Sequence, residues 1–250
     1  MKISIITVTY NSAATVRDTL ESVKNQTYKD IEHIIIDGAS KDNTLAIVAE
    51  YPHVKKVISE KDKGIYDAMN KGIQIATGDV IGILNSDDIF ASYTIIEQVM
   101  GVFKNQTDFD ALYGNINYFA TETPHTISRY WQSKSYYASF FEKGNVPPHP
   151  ALFVKKKVYD IIGTYKTHYK IAADYEFMLR MLKIHQYKSY FLNETVVKMR
   201  LGGISTKGFD SYILSTKELK NAWEINGFKY PYSLYFTRPF KKIKQLLYLT

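Results

Sequence analysis

The chain has 250 residues, 45% hydrophobic and 23% charged, the composition of a core-forming protein with material for one large domain or two small ones. It has no cysteine, which excludes disulfides, thiolate metal sites and thiol nucleophiles and fits a reducing compartment. The formal charge of +7 is uneven: residues 1–190 hold 22 Lys/Arg against 21 Asp/Glu, and residues 191–250 hold 10 against 4. That asymmetry suits an anionic surface facing the C-terminal end.

The apolar stretch near the N-terminus is about six residues long, short for a signal-peptide core. No run approaches the roughly 18 apolar residues of a membrane span. The expected location is cytoplasmic, with room for peripheral contact at the inner face of the plasma membrane.

In chain order, residues 3–8 (ISIITV) read as a buried parallel strand, and Val16, Leu20 and Val23 then recur at helical spacing after a polar Asn11-Ser12. A second apolar run at 33–36 leads into the polar turn DGASKDN, then a helical pattern at Leu45, Val48 and Ala49. A short strand is expected over 54–58, and a helix over 64–76 carried by Tyr66, Met69 and Ile73. VIGIL at 80–84 is another buried strand, and it runs into Asn85-Ser86-Asp87-Asp88.

Alternating strands and helices indicate an α/β fold with a mostly parallel sheet flanked by helices. Ligands of such sheets bind beyond the carboxyl ends of the strands. The polar residues there are Thr9-Tyr10-Asn11, Asp37-Gly38 and the acidic segment, and they are expected to converge. Further on, 111–119 and 126–131 read as a hairpin, and 171–183 as a strongly apolar helix.

Two adjacent carboxylates repel. One of them capping a helix that begins near Ser92 is the simple reading, but it explains one Asp and not two. A hard divalent cation, Mg²⁺ or Mn²⁺, accounts for both, since Mg²⁺ typically takes one or two carboxylates together with substrate phosphates. Neither G-x-G-x-x-G nor a P-loop occurs, so phosphates must be met by metal and by side chains such as Lys63 and Lys71. For Asp37 the local sequence leaves two roles open: accepting from a base N–H or ribose hydroxyl, or an Asx turn with Gly38.

ISIITVTYNSAATVRDTLESVKNQTY, then HIIIDGASKDNT, then SEKDKGIYDAMNKGIQIATGDVIGILNSDD together resemble the family 2 glycosyltransferases of the GT-A fold. Within that family the likeness is greatest to bacterial enzymes that build capsular, exopolysaccharide or O-chain glycans. It is dense to about residue 100 and continues through HPALF (149–153), IAADYEFMLR (171–180) and LGGIST (201–206). The resemblance implies a Rossmann-like GT-A domain. Residues 1–105 would be its nucleotide-sugar-binding half and 106–206 its acceptor and catalytic-base half, followed by a helical, basic and aromatic tail over 207–250.

By the same resemblance Thr9 and Asn11 line the nucleotide pocket, Asp37 contacts the base, and Lys63 lies near base or phosphates. Asp87 contacts the ribose, Asp88 coordinates the cation, and Asp174 is the general base. Asn85 stands where the family has its first acid, which shifts the expected metal ligation to Asp88. Ala173 stands where a Glu is frequent.

Apart from the resemblance, the apolar neighbours Ile171, Ala172 and Ala173 favour a partly desolvated and hence more basic Asp174. His149, between two prolines, reads as a surface residue in a rigid turn, and the resemblance gives it an acceptor-side contact. Glu176 is placed on the helix surface, paired with Arg180 at i+4.

The implied reaction is metal-dependent, inverting transfer of a hexosyl or N-acetylhexosaminyl group from a nucleotide donor, expected to be UDP-linked. The acceptor is a hydroxyl of a cell-surface glycan precursor, which a lipid carrier would place at the membrane. A nucleotidyltransferase of similar architecture is the alternative enzyme, although residues 7–17 lack its early Gly-rich loop. A non-catalytic nucleotide-sugar-binding module is the other alternative. The tail alternates Arg238, Lys241, Lys242 and Lys244 with Tyr235, Phe236, Phe240, Leu246 and Leu247, which fits either an anionic bilayer interface or a helix packed on the domain. No module for nucleic acid accompanies the charge.

Overall fold

The computed structural model describes residues 1–106, 108–119, 127–201, 208–238 and 240. The first half follows the expected alternation: β1 (Ile3–Thr9), α1 (Val16–Lys24), β2 (Ile31–Asp37), α2 (Thr44–Ala49), β3 (Val54–Ser59), α3 (Ile65–Ile75) and β4 (Val80–Ile83). The four strands are parallel neighbours in the order β3-β2-β1-β4. Ile6 and Val8 of β1 enter the core cluster on one face, and Ile3 and Ile5 the cluster on the other. Burial on both faces is why these strands read as unbroken apolar runs. α3 packs closest at Gly72, where a Cβ would stand 2.4 Å from Ile6 Cγ2.

The acidic segment does not cap a helix. It is followed by a two-residue strand, β5 (Ile89–Phe90), and α4 (Ile95–Asn105) starts only afterwards with Thr94 at its cap position. β6 (Ala111–Phe119) and β7 (Ile127–Trp131) pair antiparallel as the predicted hairpin, whose connection lies outside the described residues. β8 (Leu152–Lys155), α5 (Lys156–Ile162), α6 (Ala173–Leu179), β9 (Ser189–Arg200) and α7 (Gly208–Ile225) follow, with one π-helical turn (Arg180–Ile184) extending α6. The sheet continues from β4 through antiparallel β8 to β6, then β9, then β5.

α7 lies in the segment set apart by sequence as a tail, yet it is part of the core. Leu219, Ala222 and Trp223 are buried in the cluster that also holds Phe177 and Met178 of α6. Among the described residues no helix is long and apolar enough to cross a membrane. LGGIST beyond Leu201 and the lysines of 241–244 lie outside the described residues.

Candidate active site

Parallel pairing brings the carboxyl ends of β1, β2 and β4 together, with Thr9 directly opposite Asp37. Thr9 Oγ1 donates to Asp37 Oδ1 at 2.8 Å. The Asp37 carboxylate is fully buried and also accepts from Ser59 Oγ at 2.7 Å, Ser40 N at 2.9 Å and Ser40 Oγ. Burial pushes its pKa up, but the bonds from Ser40, Ser59 and Thr9 outweigh that and hold it below the usual value. A carboxylate has about four acceptor sites, and all of these are taken within the chain. Asp37 therefore fastens the loop after β2, where Ala39 sits at φ 60°. Such a left-handed backbone persists in a non-glycine residue only when its surroundings over-determine it.

Asn11, at φ 49°, knits the neighbouring loop to this one: its N–H donates to Ser40 Oγ at 2.8 Å and its Oδ1 accepts from Lys41 N at 2.9 Å. Ser12 and Ser86 hydroxyls meet at 2.8 Å and tie the β1 loop to the β4 loop. The expected convergence of the three strand ends is present. Beside it the ring of Tyr10 is exposed, next to Gly38, whose missing Cβ would meet Asp62 Oδ2 at 2.6 Å.

The acidic pair is asymmetric. Asp88, expected at an open strand end, is only 1% exposed. The physical reason is local: β5 pairs with β9 immediately after it and draws Asp88 under α1, where its carbonyl accepts from Thr19 Oγ1 at 2.8 Å. Its carboxylate accepts from Arg200 N at 3.3 Å and Asn85 Nδ2 at 3.2 Å. Asp87 is only partly buried and is the more accessible of the two. Burial pushes both carboxyls above their ordinary value, and at Asp88 the charge of Asp87 pushes further. Arg200, whose guanidinium binds Asp18 at 2.7 Å, offsets this in part.

Asn85 Oδ1 is buried here with no hydrogen-bond donor. An orphaned amide oxygen in the same short segment as two carboxylates that burial disfavours as anions supplies donor types suited to a hard divalent cation. Among the described residues no group of three or more His, Cys, Asp or Glu side chains that could hold a metal ion is present, so any cation here would rest on the acidic pair and Asn85 alone.

Lys63 is exposed in the turn before α3, its backbone N–H held by Asp67 Oδ2 at 2.9 Å. Lys71, the other expected phosphate contact, is paired with Glu60 at 2.8 Å and lies 3.6 Å from Asp67, so its charge is already matched.

Asp174 lies in the first turn of α6, one residue inside the helix. Its Oδ1 accepts from Tyr175 N at 2.8 Å and stands 3.2 Å from Tyr66 Oη of α3. His149 is not at the surface. It is buried with Nε2 2.9 Å from Tyr165 Oη, and burial lowers its pKa against the opposing charge of Asp174. The prolines around it stiffen an interior turn and not a surface one. Glu176 is also interior: it pairs with Arg180 at 2.9 Å as spaced, but is fully buried and is met by Lys166 at 3.2 Å as well.

Sequence reasoning gave no site role to Tyr66, Arg200 or Glu218, which the structure sets against Asp174, Asp88 and the backbone ahead of α6. Glu218 had one visible signal, a charged residue four positions before Ala222 on the apolar face of its helix.

The family model described as Glycosyl transferase family 2 matches residues 4–162. The glycosyltransferase Rv1514c of Mycobacterium tuberculosis, strain H37Rv, is 32% identical over 71% of this chain and 68% of its own length. A glycosyltransferase of Mycobacterium bovis BCG, named for PGL/p-HBAD biosynthesis, is 28% identical over 84% of this chain and 82% of its own. Among solved structures, Staphylococcus aureus TarS superposes with a TM-score of 0.65 at 16% identity, covering 90% of this chain and only 39% of TarS. Its 1–349 fragment in complex with UDP-GlcNAc gives 0.64 at 18% identity, covering 86% of this chain and 64% of the fragment. The mannosyltransferase PcManGT of Pyrobaculum calidifontis, solved with GDP-Man and Mn²⁺, gives 0.65 at 15% identity, covering 100% of this chain and 70% of that one. The expected GT-A architecture is thereby met, and the chain belongs to glycosyl transferase family 2.

Proposed function

We propose that this glycosyltransferase moves a sugar from a nucleotide donor, UDP-linked, to a hydroxyl of a bacterial cell-surface glycan precursor, with inversion and with a divalent cation. The observation that carries the reading is the segment after β4, where Asp87 and Asp88 follow Asn85, whose Oδ1 is buried without a donor, and Ser86 ties the segment to the loop after β1 beside Asp37. TarS and PcManGT, solved with UDP-GlcNAc and with GDP-Man and Mn²⁺, support a nucleotide-sugar donor.

In this reading Asp87 is the principal metal ligand, with Asn85 Oδ1 beside it. Asp88 serves from beneath, positioning Asn85 through its Nδ2. The cation, Mn²⁺ or Mg²⁺, supplies positive charge against the diphosphate, which removes the need for a second acid on the leaving group. Tyr10 offers a stacking face to the base and Lys63 a charge at the pocket mouth. Asp37 shapes the pocket by holding the 37–40 loop. Asp174 takes the proton of the acceptor hydroxyl as its oxygen attacks the anomeric carbon and the bond to the nucleoside diphosphate breaks.

The test is a panel of UDP- and GDP-sugars incubated with Mn²⁺ or EDTA, scored for nucleoside diphosphate release. Metal-dependent release from one UDP-sugar is expected. Binding of every donor without turnover, with or without acceptor extracts, would overturn the reading.

The acceptor is proposed to be lipid-linked and met at the cytoplasmic face of the membrane. Leu234 is buried, while Tyr232 and Phe236 are 84% and 78% exposed, just ahead of Lys241, Lys242 and Lys244 in the sequence. Arg238 does not join that face. It donates to Ser215 Oγ at 3.0 Å and Thr216 Oγ1 at 3.3 Å and helps hold 230–238 on α7. Exposed aromatics followed in the sequence by basic residues fit an anionic interface, each charge near it contributing about 1 kcal/mol. The protein is expected to float with anionic vesicles at low salt, and a Tyr232→Ser/Phe236→Ser variant to stay behind. Equal flotation of both would remove the membrane from the account.

A further inference from the structure

We infer that Glu218 of α7 is a positioning residue for Asp174, working together with Tyr66 of α3; this rests on the assignment of Asp174 as the base. Glu218 lies on a helix beyond the family match. Its carboxylate is almost wholly buried and is spent on one strip of backbone. Oε1 accepts from Lys170 N at 2.8 Å, and Oε2 from Ile171 N and Ala172 N, each at 2.9 Å. Those three N–H groups immediately precede α6. A carboxylate taking them fixes where the helix starts and complements its positive end.

Asp174 is two residues further on, so its Cα position follows from that anchor. The other side of the same strip is held from the donor half. Tyr66 Oη donates to Ile171 O at 2.6 Å, and the same oxygen stands 3.2 Å from Asp174 Oδ1. Burial and the neighbouring charge of Asp174 push the Tyr66 pKa well up, so the group is a neutral hydroxyl throughout the working range. It has a single proton. That proton is shared between two acceptors, the Ile171 carbonyl and Asp174 Oδ1, so the hydroxyl ties the base to the backbone just ahead of it.

The two contacts enclose Ile171 between α7 and α3. Neither Glu218 nor Tyr66 needs to touch substrate. The base is thus set relative to the donor pocket by α3, which begins right after Lys63, and relative to the body of the domain by α7.

The geometry is tested by a double-mutant cycle on the full chain. Glu218→Gln keeps the shape but turns an amide donor toward backbone donors, and displacing a catalytic group slightly costs on the order of 10- to 100-fold in rate. In the wild-type background, Glu218→Gln is expected to lower kcat by about that factor with donor KM unchanged. In an Asp174→Asn background the further loss should vanish, because there is no base left to misplace. Tyr66→Phe, which keeps the ring, should behave the same way and serves if Glu218→Gln folds poorly. Glu218→Asp should recover little, since the shorter side chain cannot reach three amides. Equal losses with and without Asp174, or a raised donor KM, would reduce Glu218 to a structural residue. If Asp174→Asn alone leaves kcat intact, it is the base assignment that fails.

Discussion

Asp174→Asn is expected to lower kcat by about 10²–10⁴-fold while donor KM stays nearly unchanged, the signature of losing an interaction made only in the transition state. The substitution is nearly silent for the fold. Asn retains a side-chain oxygen to accept from Tyr175 N, and Asp174 is only partly buried in the first turn of α6. The measurement is steady-state kinetics with acceptor saturating, paired with donor hydrolysis in its absence. Hydrolysis uses water as the acceptor and gives a second view of the same base. Asp37→Ala should fail differently. It strips four donors of their acceptor, so the 37–40 loop loosens and donor KM rises more than kcat falls. Matching losses of donor affinity in the two variants would refute separate roles for them.

How much of this was legible in sequence depends on what periodicity can carry. β1, β2 and β4 were readable because burial on both faces leaves an unbroken β-branched run, and parallel strands necessarily deliver their carboxyl ends to one edge. Thr9, Asn11, Asp37 and the acidic segment were found that way, and the structure brings them together. Depth was not readable. Asp87 and Asp88 are chemically identical neighbours, and only the pairing of β5 with distant β9 decides which one is enclosed. The surface placement of His149 and Glu176 failed for the same reason: an exposed and an enclosed polar residue differ in their partners, and Tyr165 and Lys166 are not local to His149 and Glu176 in any repeating pattern. Glu218 was hidden because its three partners are backbone amides, which have no letter in the sequence.

The asymmetry of the acidic pair sets the second large effect. Both carboxyls lie above their ordinary value of 3.8 in the folded chain, so the folded state keeps protons that the unfolded state gives up. The sign follows from linkage: the stability they contribute is complete below the unfolded value and is lost as pH rises through the raised folded values. In metal-free protein the Tm difference between the wild type and an Asp87→Asn/Asp88→Asn variant should therefore move against the wild type as pH rises out of the acid range toward neutrality, while the lowered carboxyls Asp37, Glu32 and Glu176 contribute equally to both. Mn²⁺, binding the deprotonated pair, should raise Tm at pH 7 far more than at pH 4. Asp88→Ala is a poor probe, since it leaves Arg200 N and Asn85 Nδ2 facing a cavity. The Asn isosteres separate the roles. Asp87→Asn should abolish both the Mn²⁺-induced Tm rise and Mn²⁺-dependent donor binding. Asp88→Asn removes a buried charge beside another, so its metal-free Tm at pH 7 should match or exceed that of the wild type while its metal response is weakened. A full Mn²⁺ response in Asp87→Asn, measured by thermal unfolding and by donor titration with and without EDTA, would mean that the cation is held elsewhere.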